Sequence, residues 1–419
     1  MENEKLKMEN YKQTELGHIP DDWEVNRFTD IAELIHGFQF REEHFAENGR
    51  FGVIKIGNLT YQGNISLDNL SKSDCEGINN YERLFLRRGD ILMALTGGTL
   101  GKMSIFNLEE NRYLQNYRVG KFEPNEKSIK NYIYYLLSST YVQKRIEDNV
   151  NEAAQPNFGK QDFDKIKIPL PPLPEQKKIA DCLSTWDVAI EKQSQLINAL
   201  TDRKKALMQQ LLTGKKRLPG FSDEWKEVSL IELADFRRGS FPQPYGLPEW
   251  YDNENGEPFI QVYDVGDNFN LKPTTKSKIS ELAQVQSVFI KKGTLIVTLQ
   301  GSIGKVAITN YDAYIDRTLL LFSSFKMKVD IYFIMYQIHN LFNIEKEKAP
   351  GGIIKTITKE VLSNFKIKLP SFEEQTAIAA ILATADRELQ LQKEKLAQLQ
   401  TQKKGLMQVL LTGKKRLIN

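Results

Sequence analysis

Two glycine-containing turns, each followed by a lysine, hold the residues best suited to chemistry in this 419-residue sequence. The first turn runs from Thr96 to Lys102 and the second from Gln300 to Lys305. Small residues let a backbone approach a ligand closely, and a lysine at this distance suits a phosphate. A nucleotide-binding phosphate loop needs glycine five residues before Gly101 and Ser or Thr after the lysine, where Thr96 and Met103 stand. The turns therefore indicate binding rather than nucleotide hydrolysis.

The sequence lacks a complete set of catalytic residues for other reactions. A methyltransferase would need a glycine-rich cofactor loop opening a βαβ unit and an Asn/Asp-Pro-Pro tetrapeptide, and neither occurs. A metal-dependent nuclease would need carboxylates and a lysine, but Pro20-Asp21 is followed by no Asp/Glu-x-Lys before Glu175. The histidines lack ligand spacing: His18, His36, His44 and His339. We expect no catalytic residue and no metal site in this chain.

Donors that suit DNA bases lie near both turns. Arginine pairs with guanine and asparagine or glutamine with adenine through two hydrogen bonds in the major groove. The alternative interpretation is that the glycines only shape turns and the lysines are solvated. The predicted DNA-binding residues are Thr96, Gly97, Gly98, Thr99, Lys102, Asn116, Arg118, Gln300, Ser302, Lys305 and Arg317.

Composition excludes several protein classes. With 57 Lys+Arg against 54 Asp+Glu, the net charge of +3 does not mark the whole molecule as a polyanion binder, although a local basic face fits. Two cysteines exclude a disulfide framework and a four-thiolate zinc site. The polar N-terminus resembles no signal peptide, and the apolar runs are too short to cross a bilayer. We expect a soluble, cytoplasmic chain without membrane contact.

The sequence repeats itself after about 200 residues. Residues 207–218 return almost unchanged at 406–417, a shift of 199. The segment around Trp23 returns around Trp225, whereas the interiors between these anchors have diverged. The chain therefore contains two copies of a variable globular unit, each followed by a nearly constant tail.

Each tail predicts a long helix with a coiled-coil seam. No Pro or Gly occurs from Glu175 until Gly214, and in the second copy Gly405 alone interrupts the run before Gly413. Apolar residues repeat at spacings of four and three, with Gln and Lys at equivalent places in both copies. Two such seams in one chain should face each other as an antiparallel pair. The predicted seam residues are Ile179, Leu183, Trp186, Ile190, Ile197, Leu200, Leu207, Leu211, Ile378, Leu382, Leu389, Leu396, Leu399, Leu406 and Leu410.

The globular units alternate short strand-like runs with Gly, Asn and Asp turns, and they have few helical stretches, chiefly residues 130–146 and 329–342. The predicted fold class is α+β, with two mixed α/β domains joined by two long antiparallel coiled-coil helices in a pseudo-two-fold internal repeat. The predicted boundaries are 1–168 and 219–367 for the domains, and 169–218 and 368–419 for the spacer helices.

This combination resembles the specificity subunits of type I restriction-modification systems. The residues that carry the resemblance are 16–25, 168–176 and 211–218, with their second copies. The resemblance implies that each globular unit is a target-recognition domain, which reads one half of a bipartite, asymmetric site in double-stranded DNA, and that the helices set the gap. It also implies two modification subunits, which use S-adenosylmethionine to methylate adenine, and two motor-nuclease restriction subunits, which use ATP and Mg. No cofactor is expected in this chain.

Two alternatives stay open at this point. The chain could be a non-enzymatic scaffold whose coiled coil spaces two protein-binding domains. It could also serve a defence system that only methylates.

Overall fold

The computed structural model describes residues 10–61, 63–150, 158–348 and 362–417. The chain divides into two compact units: Met1–Gln193 with Lys395–Asn419, and Ser194–Glu394. Each unit therefore takes residues from one globular part and from both long helices. The domain boundaries expected from the repeat stay predictions.

The first unit is a mixed α/β structure whose main sheet is antiparallel, with the order β4-β10-β7-β8. A second sheet has the order β6-β5-β9, in which β5 and β9 are parallel. The pairs β1-β2 and β3-β11 are antiparallel. The strands are β1 (Tyr11–Thr14), β2 (Gly17–Pro20), β3 (Glu24–Arg27), β4 (Ala32–His36), β5 (Phe51–Ile54), β6 (Ser71–Ser73), β7 (Ile91–Ala94), β8 (Met103–Ile105), β9 (Tyr113–Gln115), β10 (Val119–Pro124) and β11 (Lys167–Leu170).

The helices of the first unit cover one face of its main sheet. They are α1 (Lys130–Ser138), α2 (Thr140–Val150) and α3 (Lys160–Asp164). The single helix expected over residues 130–146 is broken at Ser139, whose extended backbone (φ −70°, ψ 148°) ends α1. Phe28, Phe122 and Phe163 form the centre of the core, with ring centroids 5.1–5.7 Å apart.

The second unit repeats this plan with different loops. Its main sheet has the order β13-β20-β17-β18, and its second sheet the order β15-β14-β19-β16. The strands are β12 (Lys226–Ser229), β13 (Ala234–Arg238), β14 (Glu257–Ile260), β15 (Ser277–Ile279), β16 (Val288–Ile290), β17 (Leu295–Thr298), β18 (Val306–Ile308), β19 (Ala313–Ile315), β20 (Leu319–Phe325) and β21 (Lys366–Leu369). The globular helices are α5 (Leu230–Leu233), α6 (Glu281–Gln284) and α7 (Ile331–Lys348), and β12 pairs with β21.

The repeated tails form two helices of 39 residues, named α4 (Leu173–Leu211) and α8 (Phe372–Leu410). Helix α4 begins at Leu173, two residues before the expected start at Glu175. Pro174 is tolerated in its first turn, because a first-turn residue needs no amide hydrogen bond. Gly405 does not interrupt α8.

The two helices run antiparallel in each unit. In the first unit Asp187 of α4 contacts Lys403, and Glu175 contacts Arg416, just past the end of α8. In the second unit the partners are Lys204 and Asp386, with Arg217 and Glu374. The predicted α+β class, with two long antiparallel helices and an internal repeat, is confirmed. In the described part of the chain, no helix combines the length and the apolar character that a membrane span requires.

Candidate nucleic-acid interface

The predicted turns follow β7 and β17, the central strands of the two main sheets. Thr96 leads into a short 3-10 turn at Gly97–Thr99, where Gly97 has φ +71° and Gly98 is exposed. In the second unit Gln300, Gly301 and Ser302 are exposed in the equivalent turn. Among the described residues, the Thr99 hydroxyl is the buried side-chain group without a hydrogen-bond partner.

A second turn, between β9 and β10 or between β19 and β20, lies beside the first. It spans Asn116 to Val119 in one unit and Asp316 to Leu319 in the other, each closed by a backbone hydrogen bond of 3.0 Å. The Asn116 Oδ1 accepts the amide of Arg118 at 3.1 Å, and Asp316 Oδ1 accepts the amide of Thr318 at 2.9 Å. We call these two segments the recognition turns.

Backbone hydrogen bonds join the recognition turns to the ends of the central strands. The amide of Leu95 donates to the carbonyl of Arg118 at 3.0 Å, and the amide of Leu299 donates to that of Thr318 at 2.9 Å. Thr96 to Thr99 are thus brought close to Asn116 and Arg118. Gln300 and Ser302 are likewise brought close to Arg317.

A glycine packs against each recognition turn where no side chain fits. A Cβ on Gly37 would lie 2.1 Å from the carbonyl oxygen of Gln115, and one on Gly239 would lie 2.3 Å from that of Ile315. Real Cβ atoms do not approach so closely, so the two glycines fix the same backbone crossing in both units. This pair is not apparent from the sequence, because the surrounding residues have diverged.

The two predicted lysines hold loops. Lys102 Nζ donates to the carbonyl of Leu59 at 2.9 Å and lies 4.4 Å from the ring centroid of Tyr61. Lys305 Nζ lies 2.7 Å from Asp267 Oδ1, and this hydrogen bond lowers the pKa of the Asp267 carboxyl. Phosphate binding by Lys102 and Lys305 stays a prediction, and each ammonium group already has a partner in the structure.

The side chains of the recognition turns differ between the units. Asn116 is buried, whereas Arg118 and Arg317 are exposed. Arg237 and Arg238 at the end of β13 are exposed too, and sequence analysis missed them. If the two copies are aligned at Gly37 and Gly239, Arg238 is at the position equivalent to His36. The structure therefore brings the predicted residues of each unit together at one edge of its main sheet.

Within each unit the predicted seam is buried at the helix ends and half-buried at most positions between them. In α4 and α8 no seam position is exposed, and the ends are fully buried at Ile179, Leu211, Ile378 and Leu410. The lysines that interrupt the seam form ion pairs across it. Lys403 Nζ lies 2.5 Å from Asp187 Oδ1, and Lys204 pairs with Asp386 in the same way.

A tyrosine from the globular part completes each of these ion pairs. Tyr135 Oη donates to Asp187 Oδ2 at 2.7 Å, and Tyr336 Oη donates to Asp386 Oδ2 at 2.6 Å. Burial, and next the hydrogen bond to the carboxylate, raise the pKa of both phenols. The two Lys-Asp-Tyr clusters tie each globular part to its helix pair at equivalent positions.

The motifs that carry the family resemblance meet in a buried cluster. Glu175, buried at the start of α4, accepts hydrogen bonds from the indole of Trp23 at 2.9 Å and from Arg416 at 2.6 Å. In the second unit Glu374 accepts from Trp225 and, twice, from Arg217. Both arginines end the basic clusters that follow the long helices, at residues 215–217 and 414–416.

Three or more His, Cys, Asp or Glu side chains grouped as for a metal ion do not occur within the described ranges. The structure thus has two candidate binding edges, each formed by turns at the end of one main sheet.

The family comparison identifies the family of the chain. The profile described as "Type I restriction modification DNA specificity domain" matches residues 20–202 and 222–401. The chain belongs to this family. Its two matches coincide with the two copies of the sequence repeat, so each match includes one recognition turn and most of one long helix. Type I specificity domains recognise DNA by sequence, and the scaffold alternative is not favoured.

Individual relatives agree with the family. The chain is 28% identical over 438 residues to a protein of Methanocaldococcus jannaschii assigned as the MjaX type I restriction enzyme specificity subunit, covering 98% of each chain. It is 24% identical over 390 residues to the type I restriction enzyme EcoBI specificity subunit of Escherichia coli, covering 86% of this chain and 78% of that one.

Solved structures share the fold. A chain from a structure of a type I restriction-modification system matches with a TM-score of 0.63 at 20% identity, covering 95% of this chain and 99% of its own. The type I system S subunit from M. genitalium matches with a TM-score of 0.53 at 16% identity, covering 93% and 96%.

Proposed function

We propose that this chain directs DNA methylation and restriction to a bipartite, asymmetric site, with each unit reading one half-site. The observation that carries the proposal is the pair of recognition turns. Their backbone frameworks are equivalent, but their exposed side chains differ, as expected for readers of two different sequences. Equivalent frameworks place the readers, and the differing side chains set what each one reads.

The long helices are the elements that we propose to set the gap between half-sites. Each has 39 residues, which corresponds to about 58 Å at 1.5 Å per residue. The Lys-Asp-Tyr clusters support this role, because they hold each globular part at one fixed position along its helix pair. A fixed position along the helices gives a gap of fixed length.

Catalysis is proposed to reside in partner subunits. Family membership supports assembly with two modification subunits, which bind S-adenosylmethionine and methylate adenine, and two motor-nuclease restriction subunits, which use ATP and Mg. This chain then contributes DNA recognition and contributes no reacting group. The complex works where the host DNA lies, which is the cytoplasm in a bacterial or archaeal cell.

Selection from a random pool of DNA duplexes tests the proposal. The chain is assembled with its own modification subunit, bound duplexes are recovered, and they are sequenced. Two short constant sequences separated by a gap of constant length and random content are expected. A soluble complex that enriches no sequence would instead support a scaffold that spaces two protein-binding domains.

A further inference from the structure

Each recognition turn presents one arginine, at positions that differ by one residue. In the first unit Arg118 is the third residue of its turn, and in the second unit Arg317 is the second residue of its turn. Both side chains are exposed at the edge where the predicted binding residues meet. The backbones of the two recognition turns are equivalent. The offset by one residue is therefore a difference between their side chains and not between their backbones.

A tyrosine holds each arginine in place. Arg118 Nε donates to Tyr117 Oη at 2.8 Å, and its guanidinium lies 5.4 Å from the ring centroid of that tyrosine. The guanidinium of Arg317 lies 5.5 Å from the ring centroid of Tyr245. Cation–π contact of this kind reduces the rotamer freedom that the side chain must lose on binding.

Tyr245 is itself fixed by buried groups. Its hydroxyl donates to Asp316 Oδ2 at 3.2 Å and accepts from Gln261 Nε2 at 2.5 Å. Burial, and next the negative charge of Asp316, raise the pKa of Tyr245. The tyrosine therefore stays a neutral platform for Arg317 at physiological pH.

Neither arginine is neutralised. Throughout the part of the chain that the structure describes, no carboxylate lies within ion-pair distance of Arg118 or Arg317. This distinguishes them from Lys305, which pairs with Asp267, and from Arg217 and Arg416, which pair with buried glutamates. An exposed, held guanidinium without a carboxylate leaves its planar fork of donors available to a ligand.

We infer that Arg118 and Arg317 each read a guanine, one in each half-site, and this inference rests on the proposed function. The fork of a guanidinium matches O6 and N7 of guanine, the acceptor pair on its major-groove edge. The one-residue offset gives the guanine a different position within each half-site. A phosphate contact is the competing role, since phosphates also accept two hydrogen bonds from arginine.

Methylation motifs of four variants test the inference. The chain is produced with its own modification subunit in a host lacking other adenine methylation, and modified adenines are mapped by single-molecule sequencing. The variants are Arg118→Ala and Arg317→Ala, with Arg88→Ala and Lys292→Ala as matched controls. The controls remove exposed cations at the opposite ends of the same central strands β7 and β17.

Arg317→Ala is expected to relax one guanine position in one half-site, reducing discrimination there by about 5- to 150-fold. The other half-site and the gap stay unchanged, which also shows that the variant is folded. Arg118→Ala is expected to relax a guanine in the other half-site. Both controls keep the parental motif.

Two results would overturn the inference. An unchanged motif with weaker methylation at all sites and a shallower salt dependence would assign the arginine to a phosphate. Relaxation at a base other than guanine would assign it to a different contact. If the parental chain itself yields no split motif, the proposed function fails instead, so the two failures are distinguishable.

Discussion

Arg416 donates hydrogen bonds from its guanidinium to both carboxylate oxygens of Glu175, at 2.6 and 3.2 Å, although 241 residues separate them in the chain. The same guanidinium donates to Asp22 at 2.7 Å. The segment that follows α8 is thereby bound to the Trp23 segment of the first unit and to the start of α4. This contact explains why the basic tail and the Trp23 segment recur together in both copies of the repeat.

Removing Arg416 should strongly destabilise the first unit. In the Arg416→Ala variant, Glu175 keeps its burial but loses its counter-ion, and such a loss costs about 3–5 kcal/mol. Urea unfolding of the assembled complex measures the change. Lys415→Ala, which removes an exposed neighbouring charge, serves as the control and should change the free energy of unfolding by less than about 0.5 kcal/mol. Equal effects of the two substitutions would contradict the role of this contact.

The ion pairs across the helix seam should differ in strength between the units. Side-chain exposure is 16% for Lys204 and 25% for Asp386, but 16% for Lys403 and 42% for Asp187. Lower exposure reduces the screening of an ion pair by solvent. We therefore expect the coupling energy of Lys204 with Asp386 to be larger than that of Lys403 with Asp187, within a range of about 0.5–3 kcal/mol.

Double-mutant cycles measure these couplings. Lys→Met and Asp→Asn substitutions, alone and together, are made at Lys204 with Asp386 and at Lys403 with Asp187, and unfolding is followed in urea. Zero coupling at both pairs would show that the seam lysines do not act through the carboxylates.

His339 should make the second unit sensitive to acid. Burial, and next the positive charges of Lys204 and Lys346, lower the pKa of this imidazole from 6.5 to about 4. The unfolded chain then binds a proton between pH 6.5 and 4 that the folded chain does not, so stability decreases as the pH falls through this window. The loss is about 3 kcal/mol at most.

Unfolding midpoints between pH 7 and 4 check this expectation. His339→Gln should flatten the dependence, whereas His18→Gln, at an exposed histidine of the first unit, should leave it as it is. A parental and a His339→Gln profile with the same slope would contradict the assignment.

Lengthening α4 should widen the gap in the target. Four residues inserted between Gln193 and Ile197 add about 6 Å and slightly more than one helical turn, so the seam resumes on nearly the same face. At 3.4 Å per base pair, the gap should grow by about two base pairs. The motif is read from methylated adenines. A second variant carries the α4 insertion together with a matched insertion between Gln392 and Leu396 of α8, and it tests whether both helices must lengthen. An unchanged gap in the single-insertion and the double-insertion variant would contradict the role of the helices as a ruler.

The repeat, the long helices and the fold class could be predicted from the sequence alone. The 199-residue shift shows the repeat directly, and the heptad spacing is a periodic signal that indicates the helices. It did not show the break at Ser139, since the apolar pattern continues from α1 into α2. The partners of Arg217 and Arg416 were also out of reach. Their glutamates lie 157 and 241 residues away, and only packing brings them together.

The candidate site could be predicted in its position but not in its contacts. The turns at Thr96 and Gln300 stood out as small, polar strand ends, and the structure places Arg118 and Arg317 beside them. The loop contacts of Lys102 and Lys305 depend on Leu59 and Asp267, which no spacing rule connects to them. The equivalence of Gly37 and Gly239 depends on the strand carbonyls of Gln115 and Ile315 that they approach, and these contacts exist only in the folded chain.

The direct test of two DNA readers in this chain is to map methylated adenine in the DNA of a host that expresses it with its own modification subunit. We expect one split motif, with two different half-sites, a gap of fixed length and one modified adenine in each half. A continuous motif, or a gap that varies between sites, would contradict two readers held at a fixed separation. The absence of any motif from a soluble, assembled complex would contradict DNA recognition by this chain.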